Sequence, residues 1–378
     1  MKKIILLFLL VFLIGSVTQG QVINKNKNEK ESDFLIKGLK KGRYNVGFRS
    51  SWLLDTSREY QLIIDSVTLV PKQARPVLYN IWYPTEETGK GHMKYADYLN
   101  IKTTNPEFAA FSTALYDFNF GVIVKEFFKK TYAELNHDEA TGFQDFMNEN
   151  TFSIRDAPFI TDQKWPLVIY HSGGASSYED NSVLCEFLAS NGFVVVGSAF
   201  QNPDGSTFNS DGGEGSFKDF EFLIEASKKK EFIDVNQLTL IGHSFGAQTI
   251  IAYQATGRSH AQTIVLLDAT FESHSIYFDH LWPSLPELVK KKNEFHNRLL
   301  GISSAGSTFQ LYENYQAAHR FYLSMDVLTH NEFISQGVIR KRLFNGSDNV
   351  GKPDYALVSA KYIIVNETIL SVLSGKEA

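Results

Sequence analysis

The stretch Leu238 to Gln248, LTLIGHSFGAQ, constrains this chain more than any other. A short apolar run stops at Gly-His-Ser-Phe-Gly and a helix-forming stretch begins, so it reads as strand, tight elbow, helix. A serine hydroxyl is a poor nucleophile in water and becomes a good one only when held clear of its surroundings, beside a base and amide donors. The elbow does this by holding Ser244 in a strained turn. Gly242 and Gly246 lie two residues to either side of it, where a Cβ would collide as the helix folds back along its strand. Ala247 keeps the crossing small. The helix expected over Phe245 to Thr256 aims its first N–H groups and positive dipole end at the place where an oxyanion would form.

The chain ahead of this elbow opens on a targeting pattern. Lys2 and Lys3 precede an uninterrupted apolar run, Ile4 to Ile14, and small or polar residues lead to Gln21. Residues 1–20 therefore read as a signal peptide, with periplasmic or extracellular export expected. No second run long enough to span a bilayer is apparent further along, so no transmembrane segment is expected after removal of the leader. Residues 21–41 are rich in Lys, Asn and Glu, with Phe34, Leu35, Ile36 and Leu39 as a possible docking patch, and read as a flexible tether. The net charge of −5 becomes more negative without the leader lysines and no basic stripe interrupts it, which disfavours nucleic acid as a partner. The single cysteine, Cys185, excludes an internal disulfide and falls in a helical stretch as a small apolar residue.

Folded sequence is expected from about residue 42. Gln61–Val70 and Arg75–Tyr83 are rich in β-branched and aromatic residues and are joined by a short turn, an antiparallel start to a sheet. Thereafter strand and helix alternate. Strands are expected at Pro166–His171, Phe193–Ala199, Leu238–Gly242, Thr263–Leu267, Thr308–Tyr312 and Phe321–Met325, and their near-continuous apolar character suits a parallel sheet buried on both faces. Helices are expected at Ser182–Ser190, Ser216–Lys230, Pro286–Leu300 and from about Asp354 to Leu373, besides the elbow helix. The resulting fold class is α/β, a mostly parallel doubly wound sheet of about eight strands. Residues 92–160 break the alternation. Aromatic pairs at helical spacing (Tyr95 and Tyr98, Phe108 and Phe111, Phe127 and Phe128, Phe143 and Phe146) mark them as a helical insertion between the second and third strands. Its rings either line an apolar pocket as a cap over the elbow or pack the insertion onto the sheet.

A serine hydrolase built on this elbow needs a histidine base and an acid, in the chain order Ser, acid, His. Six of the ten histidines follow Ser244. His330, five residues beyond the expected last strand, leaves the same rim of the sheet as the elbow, whereas His319 precedes that strand. Two acids end strands on that rim. Asp268 follows the Ile-Val-Leu-Leu run directly and Glu313 follows Phe-Gln-Leu-Tyr; the flanks of Asp268, Leu267 and Ala269, favour it, because a carboxylate in such surroundings needs hydrogen-bond donors. Glu313 stands as the alternative. For the oxyanion, the amides of Phe245, just after the nucleophile, and Gly173, in the His-Ser-Gly-Gly loop after the third strand, are the candidate donors. The loop Gln201–Gly215 carries Asp204, Asp211 and Glu214 among glycines but lacks calcium-loop spacing. Neither an HExxH, a paired CxxC nor a phosphate-cradling glycine motif is present, so no metal or cofactor is expected.

Several of these residues together carry a resemblance. Arg75-Pro76 leading to Ile81-Trp82-Tyr83-Pro84, the Pro166 to His171 strand, Gly192-Phe193-Val194-Val195-Val196, Gly242-His243-Ser244-Phe245-Gly246 and Leu267-Asp268-Ala269 resemble the α/β-hydrolase group of platelet-activating-factor acetylhydrolases and dienelactone-hydrolase-like proteins. The likeness implies an α/β-hydrolase fold over 42–91 and 161–378, Asp268 rather than Glu313 as the acid, and a histidine followed by a polar residue and Phe near the end, to which His330-Asn331-Glu332-Phe333 is similar. Ser172 stands where the group has glycine, Ser198-Ala199-Phe200-Gln201 replaces its charged stretch, and Ser244 replaces the cysteine of dienelactone hydrolases. The expected activity is therefore hydrolysis of small or lipid-like carboxylic esters through an acyl-enzyme, without a named substrate. A peptidase or amidase with the same triad, and a non-catalytic binding protein on the same fold, are the alternatives.

Overall fold

A computed structural model describes residues 34–60, 73–174, 176–200, 215–269, 294–307, 316, 318–343 and 354–376. The leader 1–20, the strands expected at Gln61–Val70 and Thr308–Tyr312, the Gln201–Gly215 loop up to residue 214, and Glu313 lie outside these residues.

Nine strands form one sheet in the order β3-β1-β2-β5-β4-β6-β7-β8-β9. They are β1 (Asn45–Tyr60), β2 (Gln73–Thr85), β3 (Ser153–Arg155), β4 (Trp165–His171), β5 (Val194–Gly197), β6 (Ile233–His243), β7 (Thr263–Leu267), β8 (Arg298–Ser304) and β9 (His319–Met325). β2 runs antiparallel to both its neighbours, and every other pairing is parallel. The mostly parallel sheet with an antiparallel start is thus present, with one strand more than the eight expected.

Successive strand residues divide between two apolar layers, as period-two alternation in a doubly covered sheet requires. Val168, Tyr170, Val195, Ile241, Val265 and Leu267 face one side. Leu167, Ile169, Val194, Val196, Leu240 and Leu266 face the other. The first layer packs helices α2 (Pro106–Phe128), α3 (His137–Met147), α4 (Ser182–Ser190), α7 (Ser335–Leu343) and α8 (Tyr355–Leu373); the second packs α5 (Gly215–Lys228) and α6 (Phe245–Ala255). A four-residue helix, α1 (Ala96–Leu99), precedes α2.

Four expectations need correction. Residues 34–41 are not a tether: Phe34, Leu35, Ile36 and Leu39 are all buried in the first layer, where Phe34 packs on Phe152 and Phe187. Four apolar side chains in six residues bury enough surface to hold a polar segment down. The sheet also begins earlier than expected, at Asn45. Charged residues interrupt β1, and its register with β2 slips between Asp55 and Glu59. Third, Arg298–Leu300 does not end a helix but opens β8, a largely buried strand next to the sheet edge, flanked by β7 and β9. Last, α8 is long and apolar enough to cross a membrane by length and composition, although no such second run was expected. It packs Val358, Tyr362, Val365, Ile369 and Val372 into the first layer, which accounts for its apolar character.

Candidate active site

The elbow sits at the end of β6. Ser244 adopts φ 52° and ψ −118°, a region that non-glycine residues enter only under constraint. The constraint is close packing on both sides. A Cβ on Gly242 would lie 2.4 Å from the Gly246 carbonyl carbon, and one on Gly246 would lie 2.3 Å from the His171 carbonyl oxygen. The parallel ladder continues one residue past the strand ends: the Ser244 amide donates to Leu267 O (2.9 Å), and the Asp268 amide donates to Ile302 O (2.7 Å). This brings Ser244 and Asp268, 24 positions apart in sequence, to one rim of the sheet. Asp268 too has a positive φ, 44°, turning its side chain back toward the elbow.

His330 arrives from beyond β9 on a short 3-10 turn, His330–Phe333. Thr329 and Glu332 close a capping box around that turn, with the Thr329 amide donating to Glu332 Oε2 at 2.7 Å. The T-x-x-E spacing is legible in the sequence as a turn start, and it fixes where the imidazole begins. His330 Nε2 stands 2.9 Å from Ser244 Oγ and its Nδ1 stands 2.6 Å from Asp268 Oδ2. Ser244, His330 and Asp268 are therefore brought into one hydrogen-bonded chain.

Asp268 is 2 % exposed. Burial alone would raise its pKa, but hydrogen bonds from His330 and from the amide and hydroxyl of Ser304 outweigh it and hold the carboxyl below its ordinary value. The Ser304 bonds, 3.0 Å from the amide and 3.1 Å from the hydroxyl, both reach Oδ1. Ser304, the last residue of β8, has no signal in the sequence that would have singled it out.

His243 is the other residue missed. Its Nε2–H donates to the His330 carbonyl oxygen at 2.9 Å, and the two imidazoles lie 4.7 Å apart between centroids. Burial, reinforced by the neighbouring His330, pushes His243 down to about 3. It is neutral at physiological pH, so it steadies the turn without opposing a positive charge on His330.

The loop after β4 places Gly173 and Gly174 beside the serine. A Cβ on Gly173 would come 3.5 Å from Ser244 Cβ and 3.1 Å from His243 Nδ1. The loop is tied down through Asp180, just before α4, whose Oδ2 accepts from Ser176 Oγ at 2.7 Å. His171, at the base of the loop, is stacked on Phe200 and driven down to about 4 by burial, so it behaves as a packing residue. Phe245 begins α6 immediately after the serine. Cys185 is fully buried in α4, and burial raises its thiol well above the ordinary value.

A cavity of about 310 Å³ opens over Ser244. One wall is the loop after β4 with His243 and His330. The rest of the lining includes Glu126, Phe127 and Lys129, at and just beyond the C-terminal end of α2, and Gln336, Gly337 and Arg340 of α7. Of the paired rings in residues 92–160, Phe127 is the one in that lining. Tyr95, Tyr98, Phe143 and Phe146 are buried against each other and the sheet. Of the two readings of this segment, its rings largely follow the packing one, and what it brings to the cavity besides Phe127 is Glu126 and Lys129.

The alpha/beta hydrolase fold family matches residues 166–355. No curated protein sequence matches the chain. Among solved structures, ferulic acid esterase from Streptomyces cinnamoneus superposes with a TM-score of 0.56 at 16 % identity, over 88 % of this chain and 89 % of that one. Esterase 2 from Thermogutta terrifontis superposes at 0.42 and 11 % identity, over 59 % and 88 %. The isopeptidase AtxE2 superposes at 0.45 and 11 %, over 89 % and 41 %. At such identities what is shared is the fold. With the family match running from β4 through the elbow and past His330, and the sheet order agreeing with it, this chain belongs to the alpha/beta hydrolase fold family.

Proposed function

We propose that the protein hydrolyses carboxylic esters, with Ser244 as nucleophile, His330 as base and Asp268 as the acid that orients it. The observation that carries this reading is the hydrogen-bonded chain from Ser244 Oγ through both ring nitrogens of His330 to Asp268. In the proposed cycle Ser244 Oγ attacks the ester carbonyl as His330 Nε2 takes its proton. The imidazolium is stabilised by Asp268, whose lowered pKa keeps it ionised. Nε2 then returns the proton to the departing alcohol. Water, activated by the same nitrogen, cleaves the acyl-enzyme.

For the oxyanion we assign the Phe245 amide, at the start of α6, where the first-turn amides have no acceptor within the helix. The Gly173 amide is the second donor in this reading, its loop lying beside Ser244. Resemblance to the acetylhydrolase group and the fold shared with a ferulic acid esterase both favour esters over amides. We further propose, from the leader sequence alone, that residues 1–20 direct export.

The test is labelling by a fluorophosphonate probe together with turnover of p-nitrophenyl acetate and octanoate, for the wild type and Ser244→Ala. Labelling should vanish in the variant and turnover should fall by about 10⁴-fold or more. A folded wild-type protein that is neither labelled nor active on either ester would overturn the proposal.

A further inference from the structure

We infer that Arg340 forms an anion-binding subsite in the cavity over Ser244, and that the esters taken by this site carry a carboxylate. The inference rests on the ester-hydrolase reading above for the reaction and on Arg340 itself for the substrate class. Three observations carry it.

First, Arg340 lines the same cavity as Ser244 and His330. It follows His330 by ten residues, and α7 is anchored to the rest of the site: the Gln336 amide donates to Asp180 O at 2.9 Å. Gly337 packs directly on the His330 turn, where a Cβ would overlap the Asn331 carbonyl. The arginine is therefore carried on an element held rigidly to the base.

Second, its guanidinium is oriented but only partly used. Arg340 Nε donates to the carbonyl oxygen of Phe127, near the end of α2, at 3.1 Å. Among the described residues that is its hydrogen-bond partner, and no carboxylate there pairs with it. A guanidinium carries five N–H donors in a planar fork, so tethering Nε leaves the two terminal nitrogens as a paired edge. That edge matches the two oxygens of a carboxylate.

Third, the charges around it do not cancel it. The other cation on the wall, Lys129, pairs with Glu126 Oε2 at 3.1 Å, and the same oxygen accepts from Asn331 Nδ2 at 3.4 Å. Among the described residues that line the cavity, what remains is the charge of Arg340. Ion pairing of Lys129 with Glu126 therefore leaves Arg340 as the group that distinguishes an anionic ester from a neutral one. If Arg340 served only to cap α2 through Phe127 O, it would not read the charge of a substrate at all.

The experiment compares mono-p-nitrophenyl adipate with the isosteric ester in which an isopropyl group replaces the carboxylate. The readout is the ratio of kcat/KM for the two, in the wild type, Arg340→Gln, Arg340→Lys and Lys129→Gln. The wild type should favour the anionic ester, and Arg340→Gln should lower the ratio about five- to tenfold, as expected for a half-buried charge-assisted pair. Arg340→Lys should restore part of it, and Lys129→Gln should change it by less than about twofold. Binding is measured separately by calorimetry in Ser244→Ala, with monomethyl adipate and its neutral isostere, so that the subsite is read without turnover. If Ser244→Ala binds the anionic ester no better than the neutral one, or if adding Arg340→Gln leaves that preference intact, the subsite is refuted. Arg340-dependent binding by Ser244→Ala in a protein whose wild type hydrolyses neither ester would uphold the subsite and remove the hydrolase reading instead.

Discussion

Replacing Asp268 by Asn tests the orientation of the base more sharply than removing the nucleophile. Asp268 Oδ2 accepts from His330 Nδ1 at 2.6 Å, while Oδ1 accepts two donors from Ser304, its amide at 3.0 Å and its hydroxyl at 3.1 Å. An asparagine of the same shape has a single acceptor oxygen. The Ser304 amide is a fixed donor on a strand, so the asparagine oxygen should stay with it and the amino group should turn toward His330. Two donors cannot share a hydrogen bond. His330 would then accept at Nδ1 and carry its proton on Nε2, presenting a hydrogen rather than a lone pair to Ser244 Oγ. It would also lose the carboxylate that stabilises the imidazolium. A tautomer error of this kind costs on the order of 10⁴ in kcat, or roughly 5–6 kcal/mol of barrier at 1.36 kcal/mol per tenfold. The assay is steady-state hydrolysis of p-nitrophenyl acetate at neutral pH, with urea unfolding to show that the variant folds. Activity within tenfold of the wild type would refute the argument, and a collapse in Glu313→Gln instead would make Glu313 the acid.

Two further outcomes follow from the surroundings of the site. Gly246→Ala places a methyl 2.3 Å from His171 O and 2.5 Å from Ser172 O, both backbone atoms at the end of β4. It should cost about 3 kcal/mol, read as a lower urea midpoint, and an unchanged midpoint would contradict the packing described. Glu179→Gln addresses a buried acid. Burial pushes the Glu179 carboxyl up to about 8 from its ordinary 4.5, and its Oε2 has no hydrogen-bond partner among the described residues. Between about pH 5 and pH 8 the folded protein keeps a proton that the unfolded chain has released, so stability falls as pH rises across that window. Asp180, raised to about 6, and Glu186, raised to about 7, both by burial, steepen the fall. The melting temperature of Glu179→Gln relative to the wild type should therefore rise from pH 5 to pH 8, and a constant difference would rule out the buried acid as the cause.

The elbow was legible because its constraints are local. Two glycines, a serine and an apolar run lie within a dozen residues, and the clash that demands the glycines arises where a helix turns back on its own strand. His330 and Asp268 were reachable because chain order and strand ends restrict the choices to a few residues. Elsewhere the decisive contacts are distant in sequence. Arg298–Ser304 is a strand because β7 and β9 flank it, not because of its own residues. Phe34 to Leu39 is ordered because Phe152 and Phe187 wait for it across more than a hundred positions.

The strand-elbow-helix unit and the mostly parallel sheet can thus be read from the residues alone, since each follows from short-range sterics and hydrophobic periodicity. Which groups surround Ser244, His330 and Asp268 is set by packing between distant elements. Ser304 on Asp268, His243 on the His330 carbonyl and Arg340 in the cavity lining come from three separate elements. A hydrogen bond or an unpaired charge depends on what packing brings within a few ångströms, and residue spacing does not encode that.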